Sequence, residues 1–325
     1  PERVHFHGNN KSPDELAMAL KNGVGRIVVD NFHELETLER LAAELKIRVP
    51  IWLRLSPGID AHTHDFRNTG LLDSKFGSPV TAGSSDIDKK SSAELALSSA
   101  LRSPHLKLVG LHAHIGSQVR DLEPYVRTVD VLLDFGAQMR KKYDFELQEF
   151  SPGGGWSVPH HEEDAAAPIE EYVRIVSAAV VQACGRHGLA LPELVIEPGR
   201  SIVGPAGVAL YRVGARKEIP GVRTYVAVDG GMADNIRPAL YGARYTALLA
   251  NKADKHAGET VTIAGKYCES GDVLVRDVAL PRLECGDILA VPVAGAYCLA
   301  MASNYNLTLR PAVVMVSDGR ASLVQ

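Results

Sequence analysis

A chain of 325 residues, 46% hydrophobic and 23% charged, has the length for one large α/β domain and a smaller one, and the composition of an ordinary globular protein. Its formal net charge of -4 excludes a generally basic nucleic-acid surface, and no apolar run approaches the roughly 18 residues that a membrane span needs. Four cysteines, Cys184, Cys268, Cys285 and Cys298, form no CxxC pair, which points to a reducing cytoplasm rather than a disulfide framework or a zinc knuckle.

The chain opens on Pro1 already inside a strand pattern, Arg3 to His7, with no signal peptide, and is expected to be cut from something longer. From there to about residue 200, short apolar runs alternate with helical stretches. The runs are RVHFH (3–7), RIVVD (26–30), PIWLRL (50–55), LKLVGLH (106–112), LQEF (147–150) and ELVIE (193–197). SPDELAMALKNG (12–23) carries a full set of helix signals: Ser12 as N-cap, Pro13 at the first helical position, Glu15 three residues after the cap, and Gly23 at the end. The segments 33–46 and 168–188 read as helices in the same way.

Strict alternation of strand and helix predicts a parallel sheet with helices outside it. Six strands suit a doubly wound sheet or part of a closed (β/α)8 barrel. Asp30, Arg54, His112, Gly153 and Glu197 all fall at or just past strand C-terminal ends, and a barrel gathers those ends around one mouth. The expected fold is therefore a (β/α)8-type barrel whose first two strands are absent from this chain. After about residue 205 the texture becomes β-rich, with Gly, Pro and Asp at short intervals, as in an antiparallel β domain. Gly204-Pro205 marks the expected junction, giving 1–205 as a partial barrel and 206–325 as a β-rich C-terminal domain.

Four stretches carry chemistry. In GKYCESGD (265–272), Cys268 could donate a proton and Glu269 could hold an ammonium group. SPGGG (151–155) follows a strand directly and could close backbone N–H groups on an anion, or be a tight turn with no ligand. EPGRS (197–201) adds a second glycine loop with a fixed cation, Arg200, suited to phosphate or carboxylate. Glu197 beside such a site needs a cation partner. A protonated pyridine nitrogen would supply one, as in a pyridoxal phosphate site, and so would an ordinary salt bridge. In HAHIGSQ (112–118), His112 and His114 alternate on one strand. An imidazole there could stack on a planar ring or be a hydrogen-bonded core histidine. The metal-like groups His62, His64 and Asp65, and His160-His161, lie in polar loop sequence without an HExxH companion, and no metal is expected.

Taken in order, HAHIGSQ, SPGGG, EPGRSIVGPAG, VDGGMADNIRPALY, CESGDVL and GAYCLAMASNYN resemble the fold-type III pyridoxal phosphate-dependent decarboxylases, and among them the diaminopimelate decarboxylase family. GNNKS (8–12) and DSKFG (73–77) match as well, so the resemblance spans nearly the whole chain. It implies pyridoxal 5'-phosphate as cofactor. His114 would stack on its ring, and Ser117, Gly153, Gly154, Gly155 and the backbone of Pro198 and Gly199 would bind its phosphate. Glu197 would pair with the ring nitrogen, and Tyr297 would sit between cofactor and substrate. Arg200, Arg237 and Tyr241 would hold substrate carboxylates, Glu269 the distal ammonium, and Cys268 would return a proton after carbon dioxide leaves. The catalytic set implied is thus Cys268, His114 and Glu197. The cysteine loop would enter the neighbouring subunit's site, which implies a homodimer with shared active sites, a small-molecule amino-acid substrate, and neither nucleic acid nor membrane as partner.

The implied reaction converts meso-2,6-diaminopimelate to L-lysine and carbon dioxide. Alternatives are decarboxylation of ornithine, lysine or arginine, and a non-catalytic cofactor-binding homologue. The chain departs from the family pattern twice. None of Lys11, Lys75 and Lys266 stands in the motif of the lysine that bonds the cofactor, which leaves three readings: a fragment of a longer chain, missing strands supplied as a separate piece, or a protein that does not form that bond. After the three glycines, Trp156-Ser157-Val158-Pro159 replaces a further glycine.

Overall fold

The computed structural model describes residues 1–61, 69–71, 73–81, 90–161 and 163–324. The chain divides into two compact units. The first comprises Pro1–Ser157 with Ala167–Pro198, and the second Val158–Ala166 with Gly199–Gln325.

The first unit is a parallel sheet with helices between its strands. Its strands are β1 (His5–Phe6), β2 (Arg26–Val29), β3 (Val49–Ser56), β4 (Ser78–Pro79), β5 (Leu106–His112), β6 (Glu149–Ser151) and β7 (Glu193–Leu194). They are ordered β1-β2-β3-β5-β6-β7, with β4 paired to β3, and every pairing is parallel. The helices are α1 (Pro13–Lys21), α2 (Phe32–Leu45), α3 (Ser92–Arg102), α4 (Glu123–Tyr143) and α5 (Ile169–His187). Helix α1 forms where its signals place it. Ser12 accepts from Glu15 N–H, and the Glu15 carboxylate accepts from Ser12 N–H, a reciprocal capping box of the kind whose loss costs about 1 kcal/mol. Each helix buries one stripe. In α5, Tyr172, Val176, Ala179, Val180 and Ala183 recur at helical spacing and join the core beneath the sheet.

Side-chain pairs across the concave face show that the sheet curls. β2 and β6 are three steps apart, which in a flat sheet means about 14 Å. Nevertheless, Arg26 and Glu149 meet in a two-pronged ion pair, and Trp52 Nε1 on β3 donates to the same carboxylate at 2.5 Å. His7 and Glu197 follow the two outermost strands, about 24 Å apart if the sheet were flat, and their side chains are 3.4 Å apart. Only a barrel wall brings these pairs together.

The second unit is a six-stranded sheet built from β8 (Ala209–Ile219), β9 (Arg223–Val228), β10 (Leu248–Leu249), β11 (Glu259–Ala264), β12 (Val273–Leu280) and β13 (Ile288–Val291), ordered β10-β13-β8-β9-β11-β12. A separate hairpin pairs β14 (Val314–Ser317) with β15 (Arg320–Leu323). Short helices α6 (Arg200–Val203) and α7 (Arg237–Tyr241) belong to this unit. Pairing is antiparallel as expected, with one exception: β11 runs parallel to β9 because the long excursion through α7 and β10 returns the chain in the same direction. Tyr211, Val213, Val226, Leu249, Ile263, Leu274 and Leu289 form its core.

Candidate active site

In the first unit the chemistry gathers at the C-terminal rim of the sheet. Glu197 follows β7, and a bridge between Gly154 and Glu197 draws the two strand-end loops together. That approach needs glycine: a Cβ on Gly154 would stand 1.8 Å from Glu197 O. The Glu197 carboxylate has three partners. His112 Nε2 is 3.1 Å from Oε2, Ser151 Oγ donates to Oε1 at 3.2 Å, and His7 Nε2 lies 3.4 Å from Oε1.

Burial alone would raise this carboxyl, but the pairings with His112 and His7 hold it well below the usual carboxylate range. Burial likewise pushes His112 toward the neutral form. The two tendencies agree if the carboxylate carries the charge and a neutral His112 donates from Nε2. Its Nδ1, buried without a partner, is then the bare lone pair. His112 thus braces Glu197. Alternation along the sequence gave it no such duty.

His114 lies just past β5, half-buried, and its Nδ1 accepts Gly154 N–H at 3.3 Å. Desolvation, and then the nearby Arg54, push it down to about 4, so the ring is neutral at pH 7. A neutral ring fixed by a backbone donor is suited to stacking. Gly153 N–H is taken by Ser151 Oγ at 3.1 Å, so two of the three loop glycines spend their N–H groups within the chain. Any hold on an anion by the SPGGG loop therefore falls to Gly155 and to neighbours such as Ser117. Lys11 is fully committed: Nζ donates to Gly8 O, Val28 O and Glu34, deep in the core, so it offers no amine to an aldehyde.

His7, His112 and Glu197 present three ligand atoms within 4.8 Å of one another, close enough for a metal ion. A metal-bound imidazole ordinarily passes its other N–H to an acceptor, and His112 Nδ1 has none. The cluster fits an organic ring cation better. His62, His64 and Asp65 lie outside the described residues. His160 packs edge-on against Tyr245 at 4.9 Å.

The remaining candidates lie in the second unit. Arg237, at the start of α7, is 1% exposed, and its Nε and Nη1 have no hydrogen-bond partner; Tyr241 lies one turn on, with its ring 5.8 Å from the guanidinium. A buried cation without a counter-ion is costly, and a carboxylate ligand removes the cost. Arg200, in α6 just after Pro198 and Gly199, is also buried and lies over the Tyr297 ring at 4.8 Å. Tyr297 itself adopts φ 63, a left-handed conformation that aims a bulky ring at a cost in strain. Cys268 and Glu269 stand on the exposed loop between β11 and β12. That loop is closed by Asp272, which accepts Tyr267 N–H and Met232 N–H at 2.8 and 2.7 Å. Asn306 Nδ2 donates to Cys268 Sγ, and Tyr305 Oη donates to Glu269 Oε1 at 2.5 Å. His7, Ser151, Tyr305 and Asn306 were not singled out from sequence. Ser151 opens the SPGGG motif, and Tyr305 and Asn306 end the GAYCLAMASNYN run, so these three lie inside motifs already marked, though nothing in sequence pairs Ser151 with Glu197, and His7 lies in none.

The sequence pattern of the pyridoxal-dependent decarboxylases' pyridoxal binding domain matches residues 1–204. Diaminopimelate decarboxylase of Bacillus subtilis (strain 168) is 48% identical over 323 residues, covering 99% of this chain and 72% of that protein. The Bacillus methanolicus enzyme of the same name is 47% identical over 322 residues, covering 99% and 73%. Among solved structures, Helicobacter pylori diaminopimelate decarboxylase complexed with L-lysine superposes with a TM-score of 0.86 at 32% identity, over 99% of this chain and 75% of that one. The chain belongs to the pyridoxal-dependent decarboxylases, in the diaminopimelate decarboxylase family.

Proposed function

We propose that this protein decarboxylates meso-2,6-diaminopimelate to L-lysine and carbon dioxide, with pyridoxal 5'-phosphate seated on the C-terminal rim of the first unit. The observation that carries this reading is the Glu197 carboxylate, held ionised by His112, His7 and Ser151. An anion so fixed suits a protonated ring nitrogen and keeps it protonated. The bound cofactor supplies an electron sink for the pair left on the substrate's α carbon when carbon dioxide departs.

The chain's own residues do the rest. His114, neutral and anchored on Gly154 N–H, stacks on the ring face. Ser117, Gly155 and Gly199 would hold the phosphate, with Pro198 fixing the backbone that presents Gly199, and Gly153 and Gly154 shaping the loop that presents Gly155. Arg237 takes a substrate carboxylate with its two unpartnered donors, and Tyr241 and Arg200 flank the same task. Glu269 would take the distal ammonium, and Tyr297 would contact the cofactor on its substrate side. Cys268 returns the proton to the α carbon. Two carboxylates and two amines on the substrate call for two cations and an anion in the protein, the balance that Arg200, Arg237 and Glu269 offer.

We further propose a cytoplasmic homodimer in which the Cys268 loop of one subunit completes the site of the other. Four free thiols support the compartment. No described helix is long and apolar enough to cross a membrane. Cys268 is exposed, and Leu307 and Leu309 beside its loop are 94% and 91% exposed, an apolar surface that a second subunit would cover.

The test is direct. The holoenzyme supplied with meso-diaminopimelate should release carbon dioxide and form L-lysine in equal amounts, and should favour that substrate over ornithine, lysine and arginine. Equal turnover of ornithine would replace this reading with that of a general basic amino-acid decarboxylase, and cofactor binding without turnover of any of these would show a non-catalytic homologue.

A further inference from the structure

The short 3-10 turn Tyr305–Leu307 of the second unit is heavily braced for an exposed stretch. Asn304 Nδ2 donates to Thr308 O at 2.8 Å, Thr308 Oγ1 donates to Tyr305 O at 2.9 Å, and Tyr267 Oη lies 3.1 Å from Thr308 Oγ1. Within this frame Asn306 and Leu307 both adopt left-handed backbone, φ 52 and φ 59. Asn tolerates that conformation, but a branched Leu does not favour it, and Leu307, 94% exposed, gains no packing within its own chain to offset the strain. Strain held in place by a braced turn marks a side chain that must be aimed. The turn aims two groups: the Asn306 amide faces Cys268 Sγ, and the Tyr305 hydroxyl faces Glu269 Oε1.

We infer that Tyr305 and Asn306 are positioning residues for the Cys268–Glu269 loop, each preparing one of its two functional groups. The inference rests on the roles proposed above for Cys268 and Glu269. Asn306 Nδ2 is a donor only, so Cys268 Sγ must accept, and the thiol's own hydrogen is left to point away from the turn. When the S–H bond breaks and the proton passes to the substrate carbon, the bond pair stays on sulfur, beside an amide donor already in place to steady it. Tyr305 engages one oxygen of Glu269, which fixes a flexible exposed side chain and leaves Oε2 for an ammonium. Less rotamer freedom is then lost when the ligand binds.

Three variants of the holoenzyme test this: Asn306→Ala, Asn306→Asp and Tyr305→Phe. The thiol readout is the rate of iodoacetamide alkylation at Cys268 relative to Cys285, also free and exposed, measured by peptide mass spectrometry in the same chain. Asn306→Ala should lower that ratio about threefold or more, and Asn306→Asp, which keeps the shape but replaces the donor with an anion, should lower it further. Asn306→Ala should also cut kcat about tenfold with KM nearly unchanged, whereas Tyr305→Phe should raise KM about tenfold and leave kcat nearly unchanged. An unchanged alkylation ratio in both Asn306 variants, or equal effects of Asn306→Ala and Tyr305→Phe on kcat and KM, would overturn the inference. A lowered ratio with unchanged kcat would support the contact and show instead that Cys268 is not the proton source.

Discussion

Arg26 and Glu149 sit on strands three steps apart in the sheet and form a two-pronged ion pair across its concave face, with Trp52 Nε1 donating to the same carboxylate. The pair fastens the curl that brings His7 to Glu197. Replacing one member leaves three N–H donors facing an amide, so Glu149→Gln should destabilise the first unit by about 1–3 kcal/mol. Chemical denaturation measures this. A near-ultraviolet signal from Trp52 that stays native while stability is unchanged would show that the curl does not depend on the pair.

Glu197→Gln keeps the shape of the rim and most of its hydrogen bonds but removes the anion. The amide cannot hold a ring cation, so kcat should fall at least about 100-fold, the scale seen when one electrostatic stabiliser is lost. Cofactor affinity, read from absorbance during titration with pyridoxal phosphate, should weaken as well. A variant within threefold of the parent enzyme would remove Glu197 from the reaction.

Arg237 offers a test that separates substrates. Its unpartnered donors await a carboxylate that diaminopimelate keeps after reaction and ornithine lacks. Arg237→Ala should therefore lower kcat/KM for diaminopimelate by about 100-fold or more and affect ornithine far less. The ligand-free protein should gain stability in Arg237→Met, because a buried uncompensated cation is replaced by a chain of similar volume. Equal losses on both substrates would favour a general basic amino-acid decarboxylase.

Much of the scaffold could be read from residue spacing. Ser12, Pro13 and Glu15 announce α1, and six apolar runs announce six parallel strands, because these depend on local preferences and a single buried face. What holds Glu197 was not legible. His7 just past β1, His112 on β5 and Ser151 on β6 converge only because the sheet curls, a non-local consequence that no window of sequence contains. The parallel pairing of β9 with β11 escaped for the same reason: it depends on where a 30-residue excursion returns. The segment 158–166 reads as a polar loop, but that it joins the second unit is a matter of packing that its composition does not reveal. The isolation of Arg237 is also invisible in sequence, since a lack of partners is a property of packing.

Two histidines set an acid limit on stability. His114 and His160, one in each unit, are pushed down to about 4, first by burial and then by nearby arginines. In the unfolded chain each binds a proton below its ordinary 6.5, whereas the folded ring refuses it until about pH 4. The unfolded state thus holds more protons in that window, so stability should fall as pH drops from 6.5 to 4, by up to roughly 3 kcal/mol for each ring. His160→Gln should flatten the loss for the second unit. Denaturation midpoints that do not change between pH 6.5 and 4.5 would contradict the assignment.

The shared-site proposal for the dimer makes an arithmetic prediction. Glu197→Gln and Cys268→Ala each disable one half of a site, and both homodimers should be nearly inactive. If the two halves come from different subunits, a mixed dimer has one site with both defects and one with neither. Random reassortment of equal amounts makes half the dimers mixed, so activity should return to about a quarter of the parent value. If each site is built within one chain, every site carries one defect and mixing restores nothing. Dissociating and reassociating the two variants, with activity followed against the time of subunit exchange, decides between these outcomes. A recovery that rises with exchange and stops near a quarter would place the Cys268 thiol in the neighbouring subunit's reaction.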